Sequence, residues 1–160
     1  MSKDEQAVVF RKANAEGTAF DYFYANQAGT EGQLIAENVT VLDDEDHKKV
    51  SQFEINDDFT KAAFIQGYDL ANESGALFVV SITNGVVGSD KKISDTAYSC
   101  NITPDGQTIR YADNYDIKWN LVTLNAYTGE QSRFWRRRLA QEHFLLIKQV
   151  HILYMLKITV

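Results

Sequence analysis

The sequence predicts an all-β fold, an antiparallel sandwich of the immunoglobulin-like kind, and three observations carry that expectation. Residues 76–83, Ala-Leu-Phe-Val-Val-Ser-Ile-Thr, are rich in the aliphatic, aromatic and β-branched side chains that suit a pleated, half-buried surface. Asn84-Gly85 follows directly, and Asp105-Gly106 stands between residues 97–102 and 107–111. Asn84-Gly85 supplies the two positive-φ positions that a type I′ hairpin turn requires, and at the second turn Pro104 pre-sets φ while Gly106 accepts the left-handed conformation. Finally, about seven short segments of this texture recur between turn signals, the spacing expected of a sandwich.

Each element can be justified in order. Residues 4–15 are assigned a short N-terminal helix, with Ala7, Val8, Phe10 and Arg11 on one side; a strand is the alternative, because periodicity cannot resolve so short an apolar run. Gly17 ends it. Residues 18–24 carry Phe20, Tyr22, Phe23 and Tyr24 and read as a strand, and 25–32 as a loop by their glycines and amides. A strand is expected over 34–42, a charged turn over 43–49, and a further strand over 50–55. Residues 59–68 fit either a strand or one or two helical turns. From Ile109 to Tyr127 the pattern is β again, closed by a turn at Thr128-Gly129. No internal repeat is visible, and the single proline leaves no proline-rich linker.

The tail changes texture at Arg133. Leu139, Leu146, Leu153 and Val160 recur every seven residues, a spacing that a C-terminal helix would place along one seam. The division expected is a sandwich over 1–132 and a basic, hydrophobic tail over 133–160. Residues 144–160 are interrupted by Lys148, Gln149, His151 and Lys157 and fall short of the ~20 apolar residues that span a bilayer. A basic amphipathic helix lying on a membrane surface or a partner is one reading of such a stretch; a terminal core element, and a C-terminus of anomalous origin such as a shifted reading frame or unspliced segment, are the others.

Charge narrows the function classes. The chain of 160 residues has a formal net charge of −6, which argues against nucleic-acid binding, because neutralising phosphates needs a basic footprint. Residues 133–160 hold 6 of the 16 basic side chains and a single acid, Glu142, leaving the body at −11 and the tail at +5. Cys100 is the only cysteine, so no intrachain disulfide is available, and its strand context suits a small buried hydrophobe. The charged N-terminus lacks the apolar stretch of a secretory signal, so the expected location is cytoplasmic or reached by non-classical secretion.

No catalytic constellation stands out. His47, His143 and His151 fit no metal-binding spacing, and the acids 43–46 lack the alternation and central glycine of a calcium loop. Asp113 and Asp116, beside Tyr111, Tyr115 and Trp119, have the composition of a sugar site, yet two carboxylates on a loop are too common to mark a glycosidase. The aromatics at 20–24 and 111–119 are expected mainly in the core. Any two left exposed would offer flat faces on which the C–H face of a sugar can stack. The expectation is a non-enzymatic protein with no cofactor and no metal.

A family resemblance adds to this. Ala7-Val-Val-Phe-Arg11, then Phe20-Asp21-Tyr22, Gly29, Ile35 and Asn38-Val-Thr40, resembles the N-terminal half of the fungal immunomodulatory proteins. Tyr98, residues 105–109 and the stretch 119–127 look like the next hairpin of that family, and 128–135 with Arg136 and Arg137 like its closing segment. The resemblance covers roughly 70 of the 160 residues. It implies a fibronectin III-like sandwich, a homodimer formed through the N-terminal segment, and lectin-like binding of cell-surface glycans, with Thr30 and Trp135 as the carbohydrate-binding positions. The alternative is a structural or protein-interaction module whose basic tail docks on a partner or membrane surface.

Overall fold

A computed structural model of the chain describes residues 6–27, 31–43, 49–115 and 118–136. It is all-β, with antiparallel sheets layered as a sandwich and no helix among the described residues. The first sheet has four strands in chain order: β1 (Ala7–Ala13), β2 (Ala19–Asn26), β3 (Gln33–Asp43) and β4 (Lys49–Ser51). The second contains β5 (Phe53–Ile55), β6 (Lys61–Asp69), β7 (Ser74–Thr83), β9 (Lys91–Ile102), β10 (Thr108–Tyr115), β11 (Lys118–Asn125) and β12 (Gln131–Arg136), with the two-residue β8 (Val86–Val87) on β7. Neighbours follow chain order throughout, as in a meander.

The N-terminal helix expected over 4–15 is corrected to a strand. All seven residues of β1 pair with β2, from Ala7 opposite Asn26 to Ala13 opposite Phe20. A helix there would forfeit that ladder, the packing of Val9 against the first core and the stacking of Phe10 on Phe23 at 5.3 Å. Local propensity was undecided, and pairing with an aromatic neighbour strand settled it. The ambiguous stretch 59–68 resolves as β6. The expected C-terminal helix lies outside the described residues; β12 runs across the 132/133 boundary as far as Arg136.

Both hairpin signals act as expected. Asn84 and Gly85 adopt φ of 52° and 75°, and Thr83 pairs with Val86 across them, the two-residue connection that type I′ geometry provides. At Thr103-Pro104-Asp105-Gly106 the Gly106 N–H donates to the Thr103 carbonyl at 2.8 Å and Gly106 has φ of 68°.

This second turn also belongs to a repeat of backbone geometry that is not visible as a repeat of sequence. The N–H of Asn14, Asn56 and Thr103 donates to the carbonyl five residues on, in Ala19, Lys61 and Thr108, at 3.0, 3.1 and 2.9 Å. Three residues on, Gly17, Phe59 and Gly106 each donate back and each have positive φ. The side-chain oxygen of the first residue then accepts from the backbone N–H that opens the next strand: Asn14 Oδ1 from Ala19, Asn56 Oδ1 from Lys61, Thr103 Oγ1 from Thr108. One turn therefore begins the second strand of three successive meander units. The units are joined alike: β4 runs on into β5 after pairing with β3, and β9 pairs first with β7 and then with β10.

Two cores flank the middle unit. Tyr22, Tyr24, Ile35 and Val39 of the first sheet pack with Ala62, Phe64, Val80 and Ile82. The opposite face of β6 and β7, formed by Ala63, Ile65, Leu77 and Val79, packs with Ile109, Tyr111, Val122 and Leu124. The second sheet therefore folds over at β9, which lies against β5 and β6 although β7 separates them in the ladder. Burial on both faces explains why β6 reads Ala-Ala-Phe-Ile without polar alternation.

Candidate functional site

The described residues form an open groove of about 590 Å³ where β6 turns into β7 and β9 passes alongside. Its polar lining comes from Gln66, Asp69, Asn72, Ser74, Asp95 and Thr96. The local backbone explains the opening. Gly67, at φ of 62°, lies in the irregularity between Gln66 and Asp69, so β6 departs from regular pairing with β7. Gly75 lets the two strands close behind it: a Cβ there would stand 2.8 Å from the Gln66 carbonyl oxygen and from Ile65 Cγ2. The connecting turn is fixed by Asp69, whose Oδ1 accepts from the Ala71 N–H at 2.8 Å and whose Oδ2 accepts from the Asn72 side chain.

The groove is acceptor-rich. It has two carboxylates, two amides and two hydroxyls, and no lysine or arginine among its lining residues. Asp95 is met from outside by Lys92, with Nζ 2.7 Å from Oδ1. Both side chains are largely exposed, so the pair contributes little, ~0–1 kcal/mol.

Behind Thr96 lies a buried polar cluster. Asp113 Oδ1 accepts from the Ser94 hydroxyl at 3.0 Å and the Thr96 hydroxyl at 2.5 Å, where the β9–β10 register shifts. Asn120 stands opposite Asp113, is 2% exposed, and its Oδ1 has no hydrogen-bond partner. Such an orphaned acceptor costs about 1–3 kcal/mol. Tyr68 and Tyr98 have ring centroids 6.3 Å apart, and burial, then Tyr98 and Glu73, push the Tyr68 hydroxyl well above the ordinary tyrosine range.

The sequence-derived candidates divide. Thr30 and Asp116 lie outside the described residues, as do the three histidines. Trp135 belongs to β12, where its backbone is opposite Asn120; Asn120 is in turn opposite Asp113, so Trp135 holds a register position in the row that ends at the Ser94/Thr96 cluster. Asp113 is a buried acceptor behind the groove, and Tyr111, Tyr22 and Tyr24 are core residues. Cys100 is buried in the second core, which raises its thiol pKa and keeps it protonated at neutral pH. Gln66, Asp69 and Asp95 were not singled out from sequence, and Asn72 stands out there only as the first residue of the glycosylation-type triplet Asn72-Glu-Ser74, which reads as an ordinary polar turn; the glycines Gly67 and Gly75 flanking a polar turn were the available sign. Among the described residues no group of three or more His, Cys, Asp or Glu could hold a metal ion, and no helix is long and apolar enough to cross a membrane.

No protein-family model matches the chain, and no curated protein sequence does. Among solved structures it is similar to a chain described as TolB from Agrobacterium tumefaciens, with a TM-score of 0.49 and 12% identity, covering 83% of this chain and 43% of that one. TolB from Acinetobacter baumannii gives a TM-score of 0.44 and 13% identity, covering 80% of this chain and 30% of the other. The chain thus spans less than half the length of either.

Proposed function

We propose that this protein is a non-enzymatic, lectin-like binding module and that the groove between the β6–β7 turn and β9 takes a hydroxyl-rich carbohydrate, as on a cell-surface glycan. The observation that carries the reading is the groove's lining. Carboxylate and amide oxygens converge there with no cation among the lining residues, and a polyol presents the hydroxyl donors that such oxygens accept. A phosphate or sulfate would meet two carboxylates and be repelled. Titration calorimetry with neutral and with sulfated oligosaccharides tests this. Saturable binding of a neutral sugar, lost in Asn72→Ala and in Asp95→Ala, is expected. Binding that prefers the sulfated set, or that neither substitution weakens, would exclude the groove.

The second reading, a module whose basic tail docks on a partner or an anionic membrane, has its support in the charge division, −11 for residues 1–132 against +5 for 133–160. Flotation with anionic vesicles at low and high salt, with and without residues 137–160, separates it from carbohydrate binding.

A further inference from the structure

Two acceptor oxygens meet behind the groove, in the buried cluster of Ser94, Thr96, Asp113 and Asn120. Asp113 is 7% exposed, yet the bonds it accepts come from two neutral hydroxyls, Ser94 at 3.0 Å and Thr96 at 2.5 Å. Among the described residues no lysine, arginine or histidine pairs with it. Buried charges in proteins are paired or coordinate metals, because the uncompensated charge is costly.

The strand order gives the cluster a direction. β10 lies between β9 and β11. Ser94 and Thr96 both belong to β9 and both bond to Oδ1, so that oxygen of Asp113 is turned toward β9. The two oxygens of a carboxylate diverge, which leaves Oδ2 on the β11 side. There Asn120 stands directly opposite Asp113, 2% exposed, with its own Oδ1 unpartnered. Directly opposed side chains share one face of a sheet with Cβ atoms about 4.5–5.5 Å apart, so a carboxylate oxygen and an amide oxygen converge. The β9 side is fixed as well. Its ladders shift register here, between Gly75 and Leu77 on β7 and between Ala112 and Asp113 on β10, and the Thr96 N–H donates to Ser94 Oγ at 3.1 Å.

We propose that this pair holds a small monovalent cation, sodium, between Asp113 Oδ2 and Asn120 Oδ1. The Ser94 and Thr96 hydroxyls orient the carboxylate through its other oxygen, as supporting groups commonly do for a metal-binding carboxylate. An all-oxygen donor set selects a hard cation. Sodium and calcium ions are nearly equal in size, so charge decides between them. One carboxylate neutralises one positive charge, whereas calcium would leave an excess in a buried place. A water molecule would satisfy the two lone pairs and leave the carboxylate charge unbalanced. Among the described residues no three His, Cys, Asp or Glu side chains gather to hold a metal, and a sodium site needs none, which is why histidine and carboxylate spacings in the sequence do not mark it. Thr96 also lines the groove, which gives the ion a route from solvent. The inference stands apart from the carbohydrate reading, since Asn72 and Asp95, on which that reading is tested, take no part.

Thermal unfolding of the full chain, followed by circular dichroism in sodium chloride and in choline chloride at equal concentration, tests it; equal ionic strength screens surface charges alike. Sodium should raise the midpoint by about 2–4 °C once it stands at roughly five times its dissociation constant, and calcium chloride at the same ionic strength should do less. Asn120→Leu, which removes the amide oxygen and leaves Asp113 its two hydroxyls, should fold and lose the sodium response. Asn120→Asp, with two carboxylates in place of one, should respond to calcium more than to sodium. Equal midpoints in sodium and choline would overturn the proposal and leave the pair to a water molecule. A sodium response that Asn120→Leu retains would place the ion elsewhere, and a larger response to calcium in the unaltered chain would overturn the charge match.

Discussion

At the scale of single residues, identical roles carry different weights according to burial. Asn14 and Asn56 make the same bonds: each Oδ1 accepts from two backbone N–H groups, and each Nδ2 donates to a threonine hydroxyl, at 2.9 Å for Thr18 and 3.0 Å for Thr60. Asn14 is exposed, so water can replace its amide. Asn56 is 1% exposed and lies under Gly106, whose missing side chain leaves room for it. Asn56→Ala should therefore cost about 2–3 kcal/mol by urea unfolding, against ~0.5–1 kcal/mol for Asn14→Ala, since only the first strands buried donors. Glu54 gives a pH dependence. It is opposite Ala63 and close enough to Cys100 to raise the thiol pKa, and burial raises its own carboxyl above the usual range. The folded state then binds the proton more tightly than the unfolded chain, so Glu54 favours folding most at acid pH and loses that effect as pH rises through its folded pKa. Glu54→Gln should unfold at higher urea than the parent at pH 8, with the gap closing as pH falls toward 4.

At the scale of elements, β6 is the strand on which both cores depend. Ala62 and Phe64 face the first sheet, and Ala63 and Ile65 face the third unit; the paired alanines admit a layer on each side. Ile65→Ala should lie in the upper half of the ~2–5 kcal/mol range for such truncations, because neighbours fixed on both faces cannot collapse into the cavity. The urea midpoint checks it, and a loss under ~1 kcal/mol would show that the layers close around the gap. Strands with strong turn chemistry were legible in the sequence: Asn84-Gly85 and Asp105-Gly106 mark the ends they were expected to mark. β1 was not, because Ala-Val-Val-Phe suits either state until β2 is beside it. The triple turn escaped notice because its residues differ, Asn-Ala-Glu-Gly, Asn-Asp-Asp-Phe and Thr-Pro-Asp-Gly. What repeats is one acceptor side chain and one left-handed residue, and in the second copy the latter is Phe59, at φ of 51°. A left-handed phenylalanine is strained, and its packing into the first core offsets that strain.

For the whole molecule, composition and alternation by themselves determined an all-β, antiparallel chain, since β-branched and aromatic runs between positive-φ turns leave the backbone few other solutions. They also determined the charge division, −11 for residues 1–132 against +5 for 133–160. Only the tertiary structure decided that the strands form three like units in layers, that Tyr22, Tyr24 and Tyr111 are core residues while Phe10 and Leu34 face solvent, and that Gln66, Asp69, Asn72 and Asp95 converge on one groove. The physical reason is range. A turn is set by four or five consecutive residues, whereas the groove joins residues from 66 to 96, and exposure depends on whether another layer covers the row. Ile65 and Phe23 occupy equivalent places after the same turn. The one is buried and the other part of an open face because the third unit packs on the second.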